Sequence, residues 1–193
     1  MTNNYRLTAI WPLNGFEKSW GPISGEFISV REVGDRSLIS LAIPLDGTAD
    51  FELFLSTKFG LKVPKPGKTD TKDSKTIMGL ARDQFFLSLP FAENPAPPAL
   101  LKTATGRAYI TDQSDSWAHL EMTGSDVRMA LERICPLNLH PDAFAVGDVA
   151  RTTMEHLNVI ILRTDAHTYH LMSARSSALS FLHAVTTSIE NTR

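Results

Sequence analysis

One succession of elements is written twice along this chain, and that repetition constrains the fold more than any bulk property does. In the first pass, residues 37–45 set Leu38, Ser40 and Ala42 against Ile39, Leu41, Ile43 and Leu45, the period of two of a strand with one wetter face. Asp46-Gly47-Thr48 turns the chain, Phe51, Phe54, Leu55 and Phe59 follow at helical spacing, and Gly60 is placed to stop the helix. A lysine-rich connection leads to a strand over 76–81, a turn at Arg82-Asp83 and a strand over 85–89. In the second pass a strand over 117–122 reaches Gly124, and Ser125 is the expected helix N-cap because its hydroxyl can accept an orphan amide. Val127, Leu131 and Ile134 line that helix, and strands follow over 150–157, 159–162 and 169–172. Gly47 to Asp83 spans 36 positions and Gly124 to Asp165 spans 41. A shared strand–helix–strand–strand order at near-equal spacing predicts two copies of one supersecondary unit.

Each copy is expected to close on a helix, short over 98–104 and amphipathic over 176–189, where Ala178, Leu182, Val185 and Ile189 align. Two such units with mostly antiparallel pairing make an α+β layered fold. The expected division is an irregular N-terminal segment over 1–25, a first repeat over 26–106 and a second over 107–193, forming one compact domain. Three prolines within 92–98 would stiffen the join. An apolar fraction of 42% is enough for a real core. One cysteine cannot staple that core internally, so packing must hold it, as in a reducing cytoplasm. The start lacks the charged-then-apolar order of a secretory signal, and no apolar run approaches the roughly 18 residues that cross a bilayer. A formal charge of −2 leaves no overall footprint for nucleic acid or an anionic membrane. The expectation is a soluble, cytoplasmic protein.

Motifs that would do chemistry are approached and missed. Gly67-Lys68-Thr69 looks like the end of a phosphate-binding loop, but Lys62 stands where that loop needs glycine, and Pro64 and Pro66 remove two amide donors. No G-x-G-x-x-G follows a strand, and Gly21-Pro22-Ile23-Ser24-Gly25 lacks the spacing of a nucleophile elbow, reading as a turn into a strand over 26–30. His167 and His170 flank a strand start, where side chains three apart face opposite ways; His140, His156 and His183 fall on separate elements. Scattered histidines and no second cysteine make no zinc site. Cys135 sits at a helix C-terminus, where the dipole disfavours a thiolate, and reads as a half-buried packing residue. Six of the eight lysines lie between Lys58 and Lys75 with no interleaved aromatics, which reads as a long solvated loop rather than a nucleic-acid surface. Tyr5, Trp11, Phe16 and Trp20 sit in a segment without period, which must lie on this chain's own sheet or on another subunit.

The string Cys135-Pro136-Leu137-Asn138-Leu139-His140-Pro141, followed by Phe144, Thr152, Thr153 and an apolar strand ending in Arg163, resembles the gamma subunit of heterotetrameric sarcosine oxidase. The likeness runs from about 110 to 189 and includes Leu120, Gly124, Leu162, Arg175 and Ser176. It weakens over 26–90 and is absent at the N-terminus. The resemblance implies two consecutive ferredoxin-like repeats, as in the folate-binding domain of the aminomethyltransferases. It further implies a non-catalytic subunit of a complex that oxidises sarcosine to glycine, forms hydrogen peroxide and passes the methyl-derived carbon to tetrahydrofolate. FAD, FMN, NAD, zinc and tetrahydrofolate would then belong to other subunits, and the partners would be alpha, beta and delta, chiefly alpha. Isolated, the chain would be a monomer or weak homo-oligomer, with no nucleic acid or membrane partner.

Under this resemblance Cys135, His140, Pro141, Phe144, Thr152, Thr153, Arg163, Arg175 and Ser176 are structural or subunit-contact candidates, with no catalytic, cofactor-binding or metal residue among them. Gly124 turns strand into helix, Pro136 stops a helix and Ser176 can cap the last one, whereas His140 and Arg163 are the candidates for polar contacts. Another class of reading is a stand-alone folate-binding or one-carbon-transfer protein of the same fold, which needs an acid to meet the pterin. Glu121, Asp148 and Asp165 are the options in the second repeat.

Overall fold

The structure, a computed structural model, describes residues 10–21, 27–91 and 103–192. Tyr5, residues 22–25 of the expected turn, the prolines of 92–98 and most of the helix expected over 98–104 lie outside the described residues, although Thr103 and Ala104 are helical. All named strand pairs are antiparallel. Among the described residues one sheet has five strands: β3 (Arg36–Ala42), β4 (Thr69–Lys72), β5 (Lys75–Gly79), β6 (Gln84–Pro90) and β7 (Tyr109–Asp112), in the order β4-β5-β6-β3-β7. The other has six: β1 (Glu17–Trp20), β2 (Ile28–Glu32), β8 (Trp117–Thr123), β9 (Val149–Met154), β10 (Leu157–Asp165) and β11 (Thr168–Ala174), in the order β1-β2-β8-β11-β10-β9.

Helix α1 (Thr48–Phe59) covers the first sheet, and α2 (Val127–Glu132) and α3 (Ala178–Glu190) cover the second. The sheets turn their other faces to each other, so the layers run helix, sheet, sheet, helix. That arrangement explains the uninterrupted apolar run Val159-Ile160-Ile161-Leu162: Val159 and Ile161 meet the helices, while Ile160 and Leu162 meet the opposite sheet. In β3, Ile39 and Leu41 pack under α1, whereas Leu38 enters the layer between the sheets, so the face expected to be wetter is a second buried face.

The repetition is visible in the strand order, since β4-β5-β6-β3 in one sheet matches β9-β10-β11-β8 in the other. The ferredoxin-like place beside the first strand of each unit is filled by exchange: β7 pairs with β3, and β2, from the N-terminal side, pairs with β8. Sheet membership therefore crosses the 106/107 division drawn from the sequence. The two units are also stitched at a local pseudo-dyad. Thr69 N–H donates to Gly147 O (2.9 Å), Val149 N–H donates to Gly67 O (3.1 Å), and Lys68 Nζ meets Asp148 Oδ1 at 2.5 Å.

Three local expectations change. The lysine-rich connection is not a long loop throughout, because its second half is a hairpin, β4–β5, whose tight turn puts both Asp73 and Ser74 at positive φ. Lys68 within it anchors the sheet junction. Ser125 is not the N-cap of α2, since the helix begins one residue later behind Asp126 and no side chain caps it. Nor does Ser176 cap α3: it is exposed in a 3₁₀ turn, Arg175–Ser177, and Ser177 holds the cap position without a side-chain bond. Gly124 does turn the strand into the helix, with φ 141° and a backbone so close that a Cβ would lie 2.0 Å from Phe27 O.

The described N-terminal aromatics, Trp11, Phe16 and Trp20, pack on this chain itself. Trp20 is buried, Phe16 packs against the core beneath α2 and α3, and the Trp11 ring rests on the backbone of Gly34. Buried Glu32 fixes this segment by accepting from Leu13 N (2.9 Å) and Gly15 N (2.7 Å). Residues 17–20, read as periodless, form β1 because β2 offers them an edge to pair with.

Candidate functional site

The 135–144 string is a connection held shut from within. Cys135 N–H closes the end of α2 on Leu131 O (2.9 Å), and its thiol is buried 3.9 Å from Thr152 Oγ1. Leu139 drops into the core, and His140 O accepts from Ala143 N (2.8 Å) and Phe144 N (2.9 Å), a single turn that drives the Phe144 ring inward. Arg163, at 6% exposure, then takes over: Nη1 donates to Phe144 O (2.7 Å), Nη2 to Ala166 O (2.7 Å) and Nε to Asp165 O (3.4 Å). Its guanidinium lies 5.6 Å from the Tyr169 ring centroid. A planar fork of donors suits three carbonyls from two loops, which a lysine's single ammonium could not span. Arg163 thus clamps the 136–147 connection to the β10–β11 turn.

The other candidates separate by exposure. His140, Pro141, Thr153 and Ser176 are on the surface, and Thr152 is half-buried. Arg175 Nη2 donates to Ile10 O (2.5 Å) and Nη1 lies 3.6 Å from Asp115 Oδ1, so it ties the N-terminal segment to β8's entry. The structure does not gather the nine into one site: Cys135, Phe144 and Arg163 form an internal joint, while the exposed ones are spread over the surface around it.

A second polar centre, which the sequence reading passed over, lies in the layer between the sheets. His119 of β8 and His170 of β11 stand with ring centroids 5.4 Å apart, and His119 Nδ1 and His170 Nε2 are sealed from solvent without a hydrogen-bond partner. Burial pushes His119 down to about 3, helped by the charges of His170 and Arg36; burial also pushes His170 down to about 4, with Arg36 and Arg31 assisting. Both imidazoles are therefore neutral at neutral pH. Arg36 is itself held by Ser88 Oγ (3.0 Å) and Ser74 O (2.6 Å), and burial lowers its pKa. Period two would have exposed His119, because it alternates with Ala118, Leu120 and Met122, which pack under the helices.

Two clefts open beside this pair, sharing Val33, Asp35 and Arg36. The larger, about 360 Å³, is lined by Trp11, Phe91, Trp117 and His119 among others; the smaller, about 270 Å³, by Arg31, Thr76, Glu121 and His170 among others. The three acids considered for a pterin are all engaged. Glu121 accepts from Arg31 Nε (2.7 Å), Asp148 holds Lys68 and Ala145 N, and Asp165 Oδ1 accepts from Ala166 N (2.6 Å). Among the described residues, no group of three or more His, Cys, Asp or Glu side chains is placed to hold a metal, and no helix is long and apolar enough to cross a membrane.

Comparisons with known proteins agree with the string and the fold. The chain is 24% identical over 164 residues to the sarcosine oxidase subunit gamma of Corynebacterium sp. (strain U-96), covering 83% of this chain and 79% of that one. It is 23% identical over 111 residues to the subunit gamma of Corynebacterium sp. (strain P-1), 58% of this chain and 55% of the relative. Among solved structures, it superposes on a chain of the heterotetrameric sarcosine oxidase from Corynebacterium sp. U-96 with a TM-score of 0.74 at 23% identity, over 86% of this chain and 85% of that chain. It also superposes on glycine cleavage system aminomethyltransferase T from Bartonella henselae, with a TM-score of 0.59 at 15% identity, over 80% of this chain and 44% of that one. The expected α+β fold of two aminomethyltransferase-like repeats is the fold observed. With residues 48–189 matched by its family model, the chain belongs to the sarcosine oxidase, gamma subunit family.

Proposed function

We propose that this chain is the gamma subunit of a heterotetrameric sarcosine oxidase, present to shape the complex rather than to carry out its chemistry. The observation that carries the reading is the match of residues 48–189 to the gamma subunit family, and the superposition of 86% of this chain on 85% of one chain of such an oxidase supports it. The complex it serves would oxidise sarcosine to glycine with hydrogen peroxide formation and one-carbon transfer to tetrahydrofolate. FAD, FMN, NAD, zinc and tetrahydrofolate would be held by other subunits, with alpha the principal partner, in the cytoplasm.

The division among the string residues supports this reading. Cys135, Phe144 and Arg163 are spent inside the fold, whereas His140, Pro141, Thr153 and Ser176 face outward and are the proposed subunit contacts. Tagged chain drawn from its native lysate should bring down partner chains with flavin absorbance. A colourless chain eluting alone would overturn the proposal. His140→Ala should weaken that recovery severalfold while leaving the melting temperature of the isolated chain unchanged, because the His140 side chain is exposed.

A further inference from the structure

We propose that Asn14 is a site of spontaneous deamidation, that the buried Glu32 carboxylate holds the reaction back, and that conversion to isoaspartate unlatches the N-terminal segment. Asn14-Gly15 is the only Asn-Gly pair in the chain. Its chemistry needs no enzyme. The Gly15 nitrogen gives up its proton to solvent and attacks the Asn14 side-chain carbon Cγ; the new C–N bond closes a five-membered succinimide, and ammonia leaves. Water then opens the ring at either carbonyl. The products are aspartate or isoaspartate, in which the main chain runs through the side chain and gains one methylene. Glycine suits the second position because no Cβ crowds the attacking nitrogen. Both residues are exposed, so water reaches the bond.

The fold sets the pace of this reaction. Asn14 and Gly15 are the central residues of a tight turn, at φ 56° and 71°, closed by Phe16 N–H donating to Leu13 O (3.1 Å). Positive φ at both positions is the type I′ arrangement, for which Asn-Gly is a preferred pair. In that left-handed region the Gly15 nitrogen lies on the far side of the Cα–C bond from Cβ, so it cannot reach Cγ until the Asn14 peptide rotates. Glu32 opposes the rotation from both sides of Asn14: one oxygen accepts from Gly15 N (2.7 Å) and the other from Leu13 N (2.9 Å). The first of these bonds also occupies the proton that the nitrogen must lose. With Glu32 only 5% exposed, breaking the pair would strand a carboxylate in the interior, so opening is rare.

What guards the bond is also what its conversion would undo. An extra methylene between Asn14 Cα and Gly15 N moves Gly15 off Glu32 and breaks the closure between Leu13 and Phe16. The turn seats Leu13 and Phe16 against the core beneath α2 and α3, and it follows directly on Trp11, whose ring rests on Gly34. Losing it releases those three side chains together, and with them the entry to β1. The reaction is irreversible without repair, so the latch opens once.

The inference stands apart from the subunit reading and is tested on the full chain. Held at mildly alkaline pH and sampled by peptide mass spectrometry, wild type should deamidate at Asn14 at least roughly tenfold more slowly than the free peptide of residues 11–17. Glu32→Gln, whose amide can accept from one backbone N–H but must turn its NH2 toward the other, should react at least about threefold faster than wild type. The converted fraction, separable by its added negative charge, should be cut by trypsin after exposed Lys18 at least roughly tenfold faster than fresh protein. Asn14→Gly keeps the turn's positive φ and lacks the reacting amide, so aged in the same way it should resist trypsin as fresh wild type does. Any one of these results falling short overturns the proposal. Should Glu32→Gln fail to fold, hydrogen exchange at the Gly15 amide of wild type takes its place, and protection below about tenfold overturns it.

Discussion

Acid should loosen this fold through two histidines that are kept neutral in the layer between its sheets. His119 and His170 titrate at 6.5 in the unfolded chain but are pushed down to about 3 and about 4 in the folded one. At pH 7 both states hold them neutral, and nothing is gained or lost. As pH falls through 6.5 the unfolded chain takes up protons that the folded chain refuses, so stability declines until the folded pKa values are reached. At pH 5, 1.5 units below the unfolded value, a histidine that stays neutral when folded costs about 2 kcal/mol. His119 should contribute that in full. His170, whose ring as a whole is only partly buried although its Nε2 is sealed, is credited with about 1 kcal/mol, since partial exposure screens the penalty. The pair then removes about 3 kcal/mol between pH 7 and pH 5, or roughly 6–12 °C of melting temperature for a chain of this length. Urea titrations at both pH values measure it, with the double variant His119→Leu/His170→Phe as reference because Leu38 and Phe86 stand at the matching places. The remaining histidines, His140, His156, His167 and His183, are exposed and cancel in the comparison. Wild type should lose about 3 kcal/mol more than the double variant over that interval. Equal losses in the two proteins would refute the reasoning, because the imidazoles would then be solvated or already paired.

Other perturbations test other joints. Arg163→Met keeps the stem but strips three carbonyls of their donor, and should cost about 3 kcal/mol in urea midpoint analysis, with Arg163→Lys recovering less than half. A loss below about 1 kcal/mol would remove Arg163 from the role of clamp. Gly124→Ala forces a Cβ against Phe27 O at φ 141°, so soluble folded protein should fall sharply in a circular-dichroism melt; a wild-type melting curve would contradict the close approach. Asp148→Asn, which weakens both the Lys68 contact and the Ala145 amide bond, should cost about 1–2 kcal/mol, against under about 1 kcal/mol for Lys68→Met, whose side chain is largely solvated. Equal costs would place the value of the contact in the ion pair alone.

Much of the strand order could be read in the chain because the repeat is periodic and its turns are marked. Gly47, Gly60 and Gly124 stand at boundaries where the chain reverses, and Phe51, Phe54, Leu55 and Phe59 bury one face of α1 as their spacing requires. What was not legible follows from pairing at a distance. Residues 17–20 and 109–112 carry weak strand patterns and become strands only because β2 and β3 offer them edges. The face of β3 bearing Ser40 read as wet because alternation cannot tell solvent from a second sheet. Ser125 and Ser176 looked like caps because cap preference is statistical, while the helices they precede start elsewhere for tertiary reasons. His119 went unnoticed for a similar cause: a histidine alternating with buried residues looks exposed until another sheet closes over it.

The recognisable string falls at a mechanical seam of the molecule. Gly147 and Val149, just beyond Phe144, exchange backbone bonds with Thr69 and Gly67 across the pseudo-dyad, and Gly147 N–H also donates to Arg163 O (2.8 Å). The clamp on Phe144 and the stitch between the units thus meet on one strand, β10, through the main chain and side chain of the same arginine. Moving the 136–147 connection would shift the register at which the two sheets face each other, and with it the layer that holds His119 and His170. Under the proposed role, in which the chain shapes a complex, its most specific residues belong where its halves are aligned. The string reads as an alignment device between the two units, and under the proposed function its exposed edge at His140 and Pro141 would pass that alignment to a neighbouring subunit.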